Sequence, residues 1–290
     1  VSPPPVPLPL PASPLVLAAA QTESLPGDPA HNARRAAAVT ARAAARGARV
    51  VVFPELHLCG YDLAALARPP RHGDVRADAD GNVTDPRLDP LAAAAAEHAV
   101  TVLTGAAVRR ADGALTDSVL AFGPSGRATV AYDKQHLWHD EEARLFTPGD
   151  RGTVLVAEGW RLGLGVCYDM SFPEHGRDAA LAGAHAYVCP SAYAAGAEHR
   201  ARVYLAARAL ENTVYAAFVN PVGGPTDRPC DGGSALFGPD GATVARTRDA
   251  HETTLHAVLD PGDIARTRTV LRMLAECRTE QGKRPREVRI

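Results

Sequence analysis

The stretch RLGLGVCYDMSFPEH, Arg161 to His175, decides how the rest of the chain is read. Leu162, Leu164 and Val166 alternate with small glycines, and Cys167 arrives where the apolar run meets polar residues. That pattern predicts a buried strand delivering a thiol to its carboxyl end. Phe172-Pro173-Glu174 then predicts the start of a helix, because proline tolerates the first turn and an acid there complements the helix dipole. In open α/β sheets, ligands sit at the carboxyl ends of strands. A cysteine in that place is a candidate nucleophile, and the electropositive start of the helix is expected to favour thiolate over thiol. A single cysteine reads first as a small buried hydrophobe, and only the company it keeps overturns that reading.

Outward from this stretch the pattern repeats in both directions. Upstream, the sequence predicts a strand over 15–21, an alanine-rich helix from Pro29 to Gly47 and a strand VVVF ending in Pro54-Glu55. A helix from Pro90 to His98 capped by Asp89 follows, then a strand from Thr101 to Val108. Gly-Pro-Ser-Gly between 117–122 and 128–133 is turn chemistry, so those segments are expected to pair. Downstream come a helix over 173–183, the strand AYVCPS, a helix from about Gly196 to Asn212, and a strand over 214–220. A hairpin around Pro239-Asp240-Gly241 and a last strand, Thr253 to Leu259, complete a sheet-rich α/β domain with some antiparallel pairing.

The bulk numbers fit one such domain. At 290 residues no disulfide or metal staple is required, and 46% hydrophobic with 22% charged residues is ordinary for a globular chain. A net charge of -2 supplies no basic field, so neither nucleic acid nor a membrane surface is an expected partner. Five cysteines without a C-x-x-C pair or a zinc spacing predict reduced thiols, a cytoplasmic setting and no metal site. The proline-rich start, VSPPPVPLPLPASP, lacks the charged beginning and apolar core of a signal peptide and is expected to be a mobile arm. The expected organisation is therefore an arm over 1–13, a catalytic domain over 14–262 and a charged tail over 263–290.

Three stretches place a reactive group just after an apolar strand: VVVFPEL with Glu55, TVAYDKQHLW with Lys134, and LGLGVCYD with Cys167. Brought together, they form a coherent set. Cys167 attacks a carbonyl or nitrile carbon, and Glu55 moves protons between thiol, leaving group and water. Lys134 is a compact positive charge for an oxyanion, with the Tyr168 backbone N–H as a second donor. His136 reads as a brace for the lysine loop, His139 as a surface residue, and Asp169 as a turn-stabilising carboxylate. Cys189 reads as core, with the following loop, Ser191 and Ala192, lining the pocket. Cys59 is expected in a loop over the pocket with Tyr61 lining it, while Cys230 and Cys277 are assigned no role.

These motifs resemble the nitrilase superfamily of carbon–nitrogen hydrolases, whose members use a Glu-Lys-Cys triad. FPEL carries Glu55, YDKQHL carries Lys134, and CYDxxFPE carries Cys167. EEARLFTPGD carries Glu142, which in that family holds the lysine and helps to position substrate. Arg208, Glu211 and Asn212 in RALEN, and the hairpin GGSALFGPDG, match further landmarks, so the resemblance covers roughly residues 15 to 260. It implies a four-layer α-β-β-α sandwich, no cofactor, and a homodimer or higher homo-oligomer assembled through helices beside the nucleophile and through the tail.

Cys-Tyr-Asp in place of Cys-Trp-Glu points away from nitriles. Ser171 stands where relatives acting on dicarboxylate half-amides carry an arginine able to clamp a carboxylate. The expected substrate is a small aliphatic carboxamide, aminovaleramide-like or amino acid amide-like, with Asp62, Glu142 or Glu198 meeting a remote amine. The alternatives are an N-carbamoyl amine hydrolase, an omega-amidase and a non-catalytic binding scaffold.

Overall fold

The computed structural model describes residues 9–68 and 73–277. Its main strands are β1 (Leu15–Gln21), β2 (Val50–Val52), β3 (Thr101–Arg109), β4 (Leu115–Phe122), β5 (Ala128–Asp133), β6 (Thr153–Ala157), β7 (Trp160–Leu164), β8 (Ala186–Pro190), β9 (Tyr215–Val219), β10 (Ala235–Phe237), β11 (Thr243–Arg246) and β12 (Thr253–Leu259). The helices that cover them are α1 (Pro29–Ala45), α2 (Asp89–Glu97), α3 (His139–Ala143), α4 (Pro173–Leu181), α5 (Glu198–Asn212) and α6 (Pro261–Val270).

The first sheet runs β12-β1-β2-β3-β4-β5 and the second β11-β10-β9-β8-β7-β6, each with three parallel strands at its heart. Period-two alternation explains how they stack. Leu15, Leu17, Val50 and Val52 face Leu162, Leu164, Val188 and Ala217 in one core shared by both sheets. The intervening residues, Ala18, Ala20 and Val51, turn to Ala33, Ala36 and Val39 of α1. On the far side, Tyr187, Cys189 and Phe218 meet Ala201, Leu205 and Ala209 of α5. The result is the four-layer α-β-β-α sandwich.

Several local expectations shift. The position before α2 is Leu88, with no side-chain cap; Asp85 instead caps a 3-10 turn over Pro86–Leu88 that leads into the helix. The expected boundary at 262/263 falls inside α6. Ile264 is fully buried, and the Tyr215 hydroxyl donates to Asp263 Oδ2 at 2.5 Å, so the start of the tail belongs to the core. Of the proline-rich arm, Leu10 packs on the sheet-to-sheet core and the Trp160 indole donates to the Ser13 carbonyl at 2.9 Å. That end of the arm is docked. Residues 1–8 of the arm and 278–290 of the tail lie outside the described residues.

Candidate active site

The carboxyl ends of two parallel strands, β2 and β7, and of the antiparallel strand β5 bring Glu55, Cys167 and Lys134 to one place. Glu55 follows β2, its N–H donating to the Ser191 carbonyl at 3.3 Å. Leu56, immediately after it, sits at φ 49°, a left-handed conformation that costs energy without glycine. The turn fits because β3 carries Gly105, where a Cβ would lie 2.2 Å from the Leu56 nitrogen and 2.6 Å from the Glu55 carbonyl carbon. Lys134 ends β5 and is pinned on both sides. Its N–H donates to the Asp117 carbonyl at 2.8 Å, and its carbonyl accepts from Gly149 N–H at 2.9 Å.

The Lys134 ammonium is completely buried, and its three protons are committed. It donates to Glu55 Oε1 at 2.6 Å and to Glu142 Oε1 and Oε2 at 2.9 and 2.7 Å. Glu142 is closed off by two further donors, the Tyr61 hydroxyl at 2.6 Å and the Trp138 N–H at 2.7 Å. Burial alone would strip the Lys134 proton, but the acids around it, Glu55 foremost, overcome it and hold the ammonium well above its ordinary range. Burial raises Glu55 despite the lysine beside it. Glu55 Oε2 has no hydrogen-bond partner and remains available as a base. Glu55, Asp117 and Glu142 are close enough to hold a metal ion, but the lysine ammonium already bonds to two of them.

Cys167 opens a 3-10 turn over Cys167–Ser171, not the helix, which begins at Pro173. It too has a positive φ, 46°, so Cys167 sits on a strained elbow between strand and helix. The expectation of a helix-stabilised thiolate does not hold. Burial, followed by the Glu55 carboxylate, pushes the Cys167 thiol well up, and only Lys134 and the Ala192 N–H oppose them. Its surroundings therefore favour the thiol form over the thiolate.

The turn is held by Asp169, as its sequence position predicts. Oδ2 accepts from Val166 N–H at 2.9 Å and from the Tyr132 hydroxyl at 2.7 Å, and Oδ1 accepts from His136 N–H at 2.9 Å. His136 thus braces the lysine loop against the cysteine turn. Arg208 is structural, pairing with Glu211 at 2.7 Å and donating to the Met170 carbonyl at 3.1 Å.

A cleft of about 350 Å³ reaches Glu55, with Tyr61, Ala192 and Cys230 on its walls. Asp62, Glu141, Asp227 and Arg228 stand around it, Arg228 paired with Glu141 at 2.9 Å. The side chains of the other expected pocket residues are engaged with neighbours. Ser191 turns its hydroxyl to the Cys189 carbonyl, and Tyr168 packs edge-on to Trp138 and Phe172. Glu142 is sealed behind the lysine, and Glu198 pairs with Arg202 on α5. Cys59 is no lid residue; it lies in a core cluster with Leu56 and Phe146, where burial raises its thiol to about 12. Two residues were missed. Cys230 lines the cleft from a short hairpin distant in sequence, and Asp117 is buried 3.6 Å from Lys134 Nζ. The one signal for Asp117 was an acid inside the apolar strand LTDSVLAF.

Comparison with known proteins supplies relatives for the chain. The family model for carbon-nitrogen hydrolases matches residues 16–269. A hydrolase named for the pqqF 5′ region of Pseudomonas protegens is 32% identical over 237 residues, covering 81% of this chain and 80% of that protein. An (R)-stereoselective amidase from a Pseudomonas species is 34% identical over 207 residues, or 69% of each chain. Among solved structures, a mutant of the amidase from Nesterenkonia sp. AN1 superposes with a TM-score of 0.76 at 26% identity. The match covers 89% of this chain and 95% of that one, and the structure shows covalent addition of the acetamide moiety of fluoroacetamide at the active-site cysteine.

Proposed function

The chain belongs to the carbon–nitrogen hydrolase family and is an amide-hydrolysing enzyme, and from that premise we propose that Cys167, Glu55 and Lys134 hydrolyse a small aliphatic carboxamide through a thioester. The observation that carries this reading is a buried Cys167 sharing its site with a Glu55 carboxyl that has one oxygen on Lys134 and no donor on the other.

Glu55 takes the thiol proton as the Cys167 sulfur bonds to the amide carbon. The carbonyl oxygen becomes an oxyanion, for which Lys134 is a fixed positive charge and the Tyr168 N–H a donor. Collapse breaks the carbon–nitrogen bond, and Glu55 passes its proton to the departing nitrogen, giving ammonia and a thioester. Glu55 next takes a proton from water. The hydroxide adds to the thioester carbon, the carbon–sulfur bond breaks, sulfur recovers the proton held by Glu55, and the carboxylic acid leaves and ionises in water.

The rim supports an amine-bearing acyl group such as that of aminovaleramide or an amino acid amide. Asp62, Glu141 and Asp227 outnumber Arg228, which is already engaged by Glu141. A second reading, an omega-amide of a dicarboxylate, is favoured by the same Arg228, because its half-exposed ion pair is weak enough to exchange for a substrate carboxylate. For the oligomer we propose assembly over α5 and the tail, where Val203 and Val270 are 66% and 77% exposed. Among the described residues, no helix is long and apolar enough to cross a membrane.

Ammonia and carbon dioxide release from 5-aminovaleramide, amino acid amides, glutaramate and N-carbamoyl amines tests these readings, with Cys167→Ala run alongside. Ammonia alone from the aminated amides, absent in the mutant, is the expected result. Preference for glutaramate promotes the second reading. Carbon dioxide accompanying ammonia overturns both in favour of carbamoyl hydrolysis, and turnover by Cys167→Ala refutes the thioester.

A further inference from the structure

Three carboxyl groups surround one ammonium in the sealed wall of this site. Glu55 and Asp117 are each 1% exposed, and Glu142 and Lys134 not at all. Fully ionised, the four groups would carry a net charge of -2 out of reach of water, an arrangement that burial makes costly. A proton therefore belongs among the carboxyls, and the hydrogen bonds discriminate between the three.

Glu142 has no place for it. Both of its oxygens are met by donors, two N–H groups of Lys134, the Tyr61 hydroxyl and the Trp138 N–H, so a proton there would have only the Tyr61 oxygen to meet and would cost the bond that Tyr61 now donates. Glu55 accepts the shortest bond from Lys134, 2.6 Å, which favours its charged form. Asp117 differs from both. Its nearest carboxyl oxygen is 3.6 Å from Lys134 Nζ, whose three protons are spent on the other two acids, and neither of its oxygens receives any donor. A buried carboxylate with no donor at all is the least favourable state these residues could adopt.

We propose that Asp117 is the protonated member, a neutral acid whose O–H donates to the Glu55 carboxylate and keeps it charged, oriented and ready to act as base. The other titratable groups bearing on Asp117 are Lys134, Glu142 and the Cys59 thiol. Burial and then the Glu55 charge drive Asp117 well above the usual carboxylate range, in keeping with this state. A carboxylate offers about four lone-pair sites, so accepting from Asp117 and Lys134 still leaves Glu55 room for the thiol proton. Asp117 touches neither substrate nor sulfur in this scheme. It is a positioning residue, and its role rests on the proposed one for Glu55.

Infrared difference spectroscopy of the full chain tests the protonation apart from turnover. A carboxylic-acid C=O band that shifts in deuterium oxide is expected in the wild type at pH 8, and its loss in Asp117→Asn assigns it. No such band at pH 8, or one that survives Asp117→Asn, overturns the proposal even if Glu55 is the base. Kinetics supply the second arm. Asp117→Ala removes the donor and is expected to lower kcat roughly tenfold or more with little change in KM. Asp117→Asn, whose amide can donate to Glu55, is expected to recover most of that loss. An Asn variant as impaired as the Ala variant would mean that a negative charge is needed beside Lys134. A normal band pattern with turnover independent of Glu55 would sink the catalytic reading while leaving the protonation intact.

Discussion

Two aspartates, both buried within the same sandwich, have opposite surroundings. Asp169 meets a donor at every turn: backbone N–H groups of Val166 and His136, the Tyr132 hydroxyl and the His136 ring. The network continues outward, since Tyr132 also contacts His175 Nε2 at 2.8 Å and His175 Nδ1 accepts from Tyr187 at 2.9 Å. Even Gly165 serves it, because a Cβ there would lie 2.2 Å from the Tyr187 hydroxyl. Burial works against the Asp169 charge, but the His136 hydrogen bond and the other donors prevail and hold it below the usual range. Asp117 has no donor and is driven the other way. Equal burial thus yields opposite charge states, and hydrogen bonding decides which. The satisfied network fixes the frame of the cysteine turn, while the under-satisfied one keeps protons near the chemistry.

The largest expected effect comes from breaking the charged side of this contrast. Lys134→Met removes the positive charge proposed for the oxyanion and leaves Glu55 and Glu142 facing each other unpaired. The loss in transition-state stabilisation is expected to be about 3 kcal/mol or more, read as kcat/KM on the best amide. A variant that retains most of its kcat/KM would show that Lys134 holds structure alone.

Asp169→Asn probes the other side, and its effect should appear in stability as well as rate. An amide keeps the shape but turns N–H groups towards donors. The expected destabilisation is about 1.5–3 kcal/mol by urea unfolding, the range for hydrogen bonds to a charged group. The sign of its pH dependence follows from a lowered carboxyl. The stabilisation is complete above the unfolded value of about 3.9 and fades as the pH falls through the lower folded value. A variant as stable as wild type at pH 7 would remove the distinction between the two aspartates.

What the sequence could disclose follows the same division. The sandwich was legible because alternation is local: Leu15 and Leu17 point one way, Ala18 and Ala20 the other. Glu55, Lys134 and Cys167 were legible because each follows an apolar strand inside a recognisable motif, and Glu142 because EEARLFTPGD resembles a family stretch. The state of the thiol was not, since it depends on a carboxylate that is distant in sequence and on a helix that starts six residues later than the cysteine. Asp117 was hidden for a related reason. An acid in a strand reads as an outward residue, whereas all eight residues of β4 are buried. Cys230 needed the fold of a remote hairpin to reach the cleft.

The last effect sharpens the comparison from outside both networks. His57 stacks on Phe53 with ring centroids 5.0 Å apart, is 2% exposed, and has no partner for Nδ1. Burial lowers it to about 3, so the folded protein keeps it neutral where the unfolded chain, near 6.5, takes up a proton. The unfolded state binds more protons below that pH, and stability must therefore fall with acidity from about pH 6.5 downwards. The slope from one such group approaches about 1.4 kcal/mol per pH unit. His57→Leu is expected to flatten the decline between pH 6.5 and 4, whatever it does to stability at pH 7. That window lies above the one in which Asp169 titrates, so urea titrations across it separate a buried base without a partner from a buried acid with four. An unchanged slope in the variant would mean that other groups, with His185 foremost at about 4, carry the acid sensitivity.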